Sequence, residues 1–157
     1  MPVRNIISKA GVSSLISRLR KSGKRIVFTN GVFDILHRGH VEYLSKAGTL
    51  GDVLVVGLNT DASVRRFKGP SRPLQRQNDR AVILLAMKAV DYVIFFGEDT
   101  PDKLIRLIRP DVLVKGADYK ISEIVGADFV KSYGGAVKRI RLTRGRSSSK
   151  LIEKLRS

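Results

Sequence analysis

The sequence alternates short apolar runs, typical of buried strands, with amphipathic stretches typical of helices, and this alternation constrains its fold more than any other feature. Parallel strands need long crossover connections, which the helical stretches provide, and uninterrupted runs such as DVLVVGL indicate strands covered on both faces. We therefore predict a three-layer α/β/α fold with a five-stranded parallel sheet. The predicted strands span 25–29, 52–58, 91–96, 111–115 and 137–142, and the predicted helices lie within 13–23, 40–47, 78–90, 100–110 and 121–133 and from about 150 onward, with Ser13, Ser14 and Thr100 as expected caps.

Length and composition indicate a single globular domain. A chain of 157 residues that is 43% hydrophobic can bury one core, and we expect residues 1–24 to form a helical lead-in and 25–157 the sheet with its helices. With no cysteine, the sequence excludes disulfides and thiolate metal sites, which fits a reducing compartment. No apolar run is long enough for a signal peptide or a spanning helix, so we expect a cytoplasmic protein.

The charge balance predicts an anionic partner. The chain has 30 Lys and Arg against 14 Asp and Glu, a formal net charge of +16. Nucleic acid would satisfy this charge, but the basic residues are scattered along the chain and there is no Trp to stack on bases, which disfavours that partner. Phosphorylated metabolites and nucleoside triphosphates are served by the same charge, and we expect the partner among them.

The two histidines of the sequence lie three residues apart, His37 and His40, in the loop between the first predicted strand and its helix. Residues at this spacing face the same side of a helix start, and Gly39 between them permits close backbone approach. The unpaired N–H groups and the positive dipole end of a helix favour phosphate. The pattern therefore indicates a triphosphate cradle, with ordinary surface or capping imidazoles as the alternative.

The full run from 29 to 40, TNGVFDILHRGH, resembles the signature Gly-x-Phe-Asp-x-x-His-x-Gly-His of the cytidylyltransferase-like nucleotidyltransferases, whose sheet is Rossmann-like. The serine-rich run SSSKLI at 147–152 stands where that superfamily has a Ser/Thr-rich start to its last helix. Further blocks, GDVLVVGLNTDASVRRFKG, SRPL, AVDYVIFFGEDTP and RPDVLVKGADY, resemble the adenylyltransferase domain of bifunctional ADP-heptose synthases. The reaction implied is attack by the phosphate of D-glycero-β-D-manno-heptose 1-phosphate on the α-phosphorus of ATP, with release of pyrophosphate.

The resemblance also implies site residues. His37 and His40 would steady the α-phosphate and the leaving group as catalytic residues, with Lys68 as a mobile cation over the reacting phosphates. Mg²⁺ is expected to accompany ATP, held by phosphate oxygens and water, and no residue is predicted to ligate a metal. The implied nucleotide-binding residues are Thr29, Asn30, Gly31, Phe33, Asp34, Gly39, Arg80, Lys115, Gly116, Asp118, Ser147 and Ser148, and the implied acceptor-binding residues are Asn59 and Asp61.

Several alternatives stay open at the level of sequence. Lys68 and Arg80 could be solvated surface cations, and Asp61 could cap the following helix. The run RSSSK replaces the CSTTN expected of the heptose family, which leaves the choice of base less certain. The alternative functions are a glycerol-3-phosphate cytidylyltransferase, an FMN adenylyltransferase and, in a different class, a non-catalytic nucleic-acid-binding module. The resemblance further implies a homodimer and, since no kinase part is seen here, a separate kinase that supplies the sugar phosphate.

Overall fold

The computed structural model of the chain describes residues 2–143 and 148–156. Within that range six strands form one parallel sheet, in the order β1-β4-β3-β2-β5-β6. The chain runs outward from β2 through β3 to β4 and then, on the other side, from β5 to β6, so the order reverses between β2 and β5, and β1 lies at the edge beside β4. The strands are β1 (Ile6–Ile7), β2 (Ile26–Gly31), β3 (Val53–Asn59), β4 (Tyr92–Phe96), β5 (Val112–Gly116) and β6 (Ala136–Ile140).

Helices cover the sheet and connect its strands. The described helices are α1 (Val12–Lys21), α2 (Arg38–Gly48), α3 (Asp61–Lys68), α4 (Gln77–Leu85), α5 (Asp102–Ile108), α6 (Ala127–Ser132) and α7 (Ser148–Arg156), with short 3-10 turns at Pro2–Asn5, Lys9–Gly11 and Ile121–Glu123. In the described part of the chain no helix has both the length and the apolar character needed to cross a membrane.

The core consists of two apolar layers, one on each face of the sheet. Side chains alternate along β2, so that Ile26 and Phe28 pack under α1, α5 and α6, whereas Val27 packs under α2 and α4. Burial on both faces explains why the strand sequences are almost wholly apolar, since a polar side chain would lose its water without gaining a partner. The predicted α/β/α layering and parallel pairing are therefore confirmed.

The predicted strand number is wrong, because the sheet has six strands and not five. The missed strand, Ile6–Ile7, pairs with Val93 and Ile94 at one edge of the sheet, inside the segment predicted as a purely helical lead-in. Two residues carry no readable alternation, so only the neighbouring edge of β4 identifies them as a strand.

Several predicted helix limits also differ from the structure. The predicted helix at 121–133 is confined to α6, because Gly126 at φ 83° interrupts it in the left-handed region. The helix predicted at 78–90 ends at Leu85. Thr100 does not cap α5, whose N-cap position is held by Pro101, and α1 already begins at Val12, so Ser13 and Ser14 lie inside it.

Candidate active site

A cleft of about 830 Å³ lies at the carboxyl ends of the central strands. In parallel sheets this is the edge where ligands bind, next to the reversal of strand order. The loops after β2, β3, β4 and β5 all contribute to its wall. The predicted site residues that line the cleft are Asn30, Gly31, Phe33, Asp34, His40, Asn59, Lys68, Lys115, Gly116 and Asp118.

The two histidines form a stacked pair at the start of α2. Their ring centroids are 4.0 Å apart, with the planes inclined by 26°. His37 is the N-cap residue, and its Nδ1 accepts a hydrogen bond of 3.1 Å from the backbone N–H of Gly39. Because Nδ1 is an acceptor, the neutral ring carries its proton on Nε2, which can donate to an anion. His37 can therefore cap α2 through Nδ1 and donate to a phosphate through Nε2 at the same time.

His40 is held neutral by its surroundings. Burial, followed by the nearby His37 and Lys68, lowers the pKa of His40 from 6.5 to about 4. Its Nδ1 is buried and finds no hydrogen-bond partner among the residues that the structure describes. Phe33 packs edge-on against this ring at 5.3 Å. A bound phosphate would both satisfy a ring nitrogen and raise the pKa of His40.

Phe33 adopts an unusual backbone conformation, φ 46°, although it is almost fully buried. Left-handed conformations are costly for bulky side chains and persist where surrounding structure enforces them. The ring passes close to Gly31, where an added Cβ would lie only 2.8 Å from it. Gly31 is therefore required for the position of Phe33, and Phe33 in turn supports His40.

Asp34 joins the β2–α2 loop to the loop after α3. Its carboxylate accepts hydrogen bonds from the backbone N–H groups of Leu74 and Gln75, at 2.9 and 3.0 Å, and from Nε of Arg72 at 2.9 Å. Burial alone would raise the pKa of Asp34, but the bonds from Gln75, Leu74 and Arg72 outweigh it and lower the pKa below its ordinary value. An acceptor-only group satisfied in this way holds the loops and is poorly placed to bind a metal.

Arg72 is a site residue that the sequence reasoning missed. Its side chain is 12% exposed, lines the cleft and forms an ion pair with Asp34. Lys68, in the last turn of α3, lies nearby, and partial burial together with Arg72 lowers the pKa of this lysine. The signal was present in the SRPL block, but nothing local distinguishes Arg72 from the other cations of a basic loop.

Arg80 lies beneath the cleft and does not line it. The guanidinium donates to the backbone carbonyls of Gln75, Val32 and Asn59 and to the carboxylate of Asp61, at 2.6–3.1 Å. With 1% exposure it is the largest fully buried side chain described. The structure thus removes the surface-cation alternative for Arg80, and it places Asp61 in an ion pair, while Thr60 caps α3.

The wall of the cleft at the carboxyl end of β5 carries Lys115 and Gly116, the last two residues of that strand, and Asp118 just after them. Lys115 donates to the carbonyl of Asn30 at 3.5 Å and lies 5.2 Å from the ring centre of Tyr119, and burial lowers its pKa. A Cβ on Gly116 would lie 2.3 Å from Oδ1 of Asp118, so this glycine permits the close approach of the two residues. The result is a narrow polar wall with a partly buried cation.

Two of the predicted nucleotide-binding residues, Thr29 and Gly39, are buried and do not line the cleft, and two others, Ser147 and Ser148, belong to the serine-rich run. Thr29 is fully buried, and its hydroxyl is 2.8 Å from the hydroxyl of Tyr43. Gly39 is buried in the first turn of α2. Ser148 is the first residue of α7, and Ser147 lies outside the described residues.

The described residues offer no cluster of three His, Cys, Asp or Glu side chains that could hold a metal ion. Among the described residues three carboxylates line the cleft: Asp34 is saturated by donors, Asp99 is paired with Arg66, and Asp118 lies just after the end of β5. No protein cage for Mg²⁺ is therefore identified in this part of the chain, and no chemical step is assigned to the ion.

Comparison with known proteins gives three results. A family model described as cytidylyltransferase-like matches residues 28–154. The chain is similar to bifunctional protein HldE of Syntrophotalea carbinolica, 58% identical over 87% of this chain and 28% of that protein, and to bifunctional protein HldE of Nitratiruptor sp., 53% identical over 99% and 33%. It is also similar to the crystal structure of the lipopolysaccharide core biosynthesis protein from Thermoplasma volcanium, with a TM-score of 0.62, 33% identity and coverage of 79% of this chain and 100% of that one. The chain spans about a third or less of the length of the two HldE relatives.

Proposed function

This chain belongs to the cytidylyltransferase-like family of nucleotidyltransferases, and from that premise we propose that it transfers AMP from ATP to a sugar 1-phosphate. Family membership confirms the predicted enzyme class and the resemblance drawn from the run 29–40. The acceptor that we propose is D-glycero-β-D-manno-heptose 1-phosphate, and the products are ADP-heptose and pyrophosphate. The similarity to relatives named HldE and to a lipopolysaccharide core biosynthesis protein supports this acceptor.

The stacked pair of His37 and His40 at the start of α2 is the observation that carries the proposal. An oxygen of the acceptor phosphate forms a bond to the α-phosphorus as the bond to the bridging oxygen breaks, and pyrophosphate leaves with the electron pair. Such a displacement needs alignment and charge neutralisation and no covalent intermediate. Ring N–H donors, the positive end of α2 and Lys68 supply charge stabilisation where the transferred phosphorus would lie.

The polar groups around the cleft support a nucleoside site on one side and a sugar phosphate site on the other. We place the nucleoside against the wall after β5, near Lys115, Gly116 and Asp118, with the buried side-chain carbonyl of Asn30 as an acceptor for a ligand donor. That carbonyl finds no hydrogen-bond partner within residues 2–143 and 148–156. Asn59 lines the opposite side, where the sugar phosphate would bind, while Asp61 acts through Arg80.

The proposal extends to the metal ion, the phosphate-binding serines, the compartment and the oligomeric state. Mg²⁺ enters with ATP, held by phosphate oxygens and water, and supplies charge neutralisation at the triphosphate. Ser147, which lies outside the described residues, and Ser148, the first residue of α7, bind the β- and γ-phosphates. The enzyme is a cytoplasmic homodimer, and sedimentation of the purified chain would test its oligomeric state.

Pyrophosphate release tests the substrate. ATP and CTP are each supplied with Mg²⁺ and with heptose 1-phosphate, glycerol 3-phosphate or FMN in turn. Release with ATP and heptose 1-phosphate alone is expected. Release only with another pair would keep the chemistry and overturn the substrate, and silence with every pair, together with duplex DNA binding that persists at moderate salt, would favour a binding module.

Replacement of His37 or His40 with Ala tests the mechanism. Removing donors aimed at the transferred phosphate is expected to lower kcat by about 100-fold or more, by analogy with the loss of a single transition-state donor. Lys46→Ala, an exposed change in the last turn of the same helix, serves as the control and is expected to leave kcat unchanged. Undiminished turnover in either histidine variant would defeat the mechanism.

A further inference from the structure

Arg72 lines the cleft and has a buried N–H donor that no hydrogen bond among the described residues uses. Its Nε is fixed on Asp34, yet Nη2 is buried and has no hydrogen-bond partner in the described part of the chain. A buried guanidinium donor without a partner is costly, so such a group indicates that a bound oxygen completes it. Arg72 is also held rigidly, since two backbone N–H groups of its own loop bind the same carboxylate of Asp34.

The neighbourhood of Arg72 favours an anion with high charge density. Lys68 and Arg72 both line the cleft, and burial, followed by the nearby charge of Arg72, lowers the pKa of Lys68. The nearest carboxylate, Asp34, is already compensated by its donors, and Asp99 is paired with Arg66. A phosphomonoester, with a charge of about −1.5 to −2, would bind both cations and accept from a fixed guanidinium arm.

The position of Arg72 in the sheet order separates it from the wall at which we place the nucleoside. Arg72 and Lys68 come from the connection that follows β3, whereas the proposed nucleoside wall follows β5. The histidine pair follows β2, which lies between β3 and β5. The acceptor phosphate approaches the transferred phosphorus from the side away from the pyrophosphate, and Arg72 and Lys68 offer it cations away from the proposed nucleoside wall.

We infer that Arg72, positioned by Asp34, binds the phosphate of the acceptor and restricts the acceptor to phosphomonoesters. This inference rests on the proposed function, because it takes the nucleoside to lie at the β5 wall. It deepens that proposal by naming the residue that recognises the second substrate. Asp34 is then a positioning residue, which acts through the orientation that it gives to the guanidinium.

Steady-state kinetics of Arg72→Gln tests the inference, with whichever acceptor proves active in the pyrophosphate assay. Loss of a hydrogen bond to a charged group is expected to raise the KM for the acceptor by about 10- to 100-fold, with the KM for ATP changed by less than about 2-fold. Arg76→Gln removes the same charge from an exposed position of the same loop and is expected to change neither constant. Calorimetric titration with ATP, which needs no turnover, should give the same affinity for all three proteins.

A second variant separates recognition from folding. Arg72→Lys keeps a cation beside Asp34 but cannot hold Asp34 and a phosphate through two arms of one planar group, so the acceptor KM is expected to rise here too. Added guanidinium ion should partly restore the acceptor KM of Arg72→Ala. A raised KM for ATP with an unchanged KM for the acceptor, or a normal acceptor KM in Arg72→Lys, would overturn the inference. Failure of the proposed function would be seen differently, as a wild-type protein silent with every acceptor.

Discussion

Replacing Arg80 with Met should destabilise the fold strongly, because Arg80 connects four separate groups from inside the protein. Its guanidinium binds the carbonyls of Val32, Asn59 and Gln75, and the pair with Asp61 has a distance of 2.7 Å. The side chain of Arg80 is 0% exposed, and that of Asp61 is 21% exposed. Methionine fills most of the volume but donates to none of these acceptors.

The size of the effect follows from burial. Breaking a buried ion pair costs about 3–5 kcal/mol, since the remaining partner is left without compensation. Water can reach Asp61 in part, so the lower end is expected, about 3 kcal/mol, or a fall in Tm of about 6–12 °C for a chain of this size. The second change, Asp61→Asn, should recover part of the loss in the double variant, because it removes the uncompensated charge.

Urea unfolding followed by circular dichroism measures this loss, with Arg66→Met as the matched control. Arg66 also bonds to a carboxylate, Asp99, and to the carbonyl of Gly97, but its side chain is 50% exposed and that of Asp99 is 87% exposed. Exposed pairs contribute about 0–1 kcal/mol, so the control should unfold close to wild type. Equal losses of unfolding free energy in the Arg80 and Arg66 variants would refute the reasoning from burial.

Three further predictions concern the residues around the histidine pair. Because the pKa of His40 is about 4 in the fold and 6.5 ordinarily, the unfolded chain binds more protons between these values, and stability falls as the pH drops through that window. Between about pH 7.5 and about pH 5 the free energy of unfolding should fall, and in His40→Asn that fall should be smaller than in the wild type by about 1–2 kcal/mol. Urea titrations at the two pH values measure the difference, and an equal fall in both proteins would contradict the low pKa of His40. Gly31→Ala places a methyl 2.8 Å from the ring of Phe33, so we expect a destabilisation of about 1–3 kcal/mol and weaker ATP binding, both measured by calorimetry. An unaltered affinity for ATP would show that the ring of Phe33 does not shape the nucleotide site. Tyr43→Phe leaves the buried hydroxyl of Thr29 without its 2.8 Å partner, and chemical denaturation should register about 1–3 kcal/mol, whereas an unshifted midpoint would mean that this bond adds nothing.

The local sequence pattern was sufficient to predict the central strands and the start of α2. The run VLVVGL at 53–58 lies within one buried strand, and His37 and His40 lie on one side of a helix start because their spacing is set by the helix itself. The family signature lies in the same continuous segment, so the enzyme class was also readable from the sequence. The limits of helices were predicted less well, as Gly126 shows, since this left-handed residue delays the start of α6 without changing the apolar spacing of the segment.

The alternation of strands and helices, the parallel sheet and the place of the histidine pair could all be predicted, because each depends on residues close together in the chain. The strand formed by Ile6 and Ile7 could not be predicted from local pattern, since it exists through its pairing with β4. Tertiary structure likewise decided the roles of Arg72 and Arg80, whose partners Asp34 and Val32 are 38 and 48 residues away. A cation in a basic loop looks the same in sequence whether water or a distant carboxylate surrounds it, and only the folded chain supplies that carboxylate.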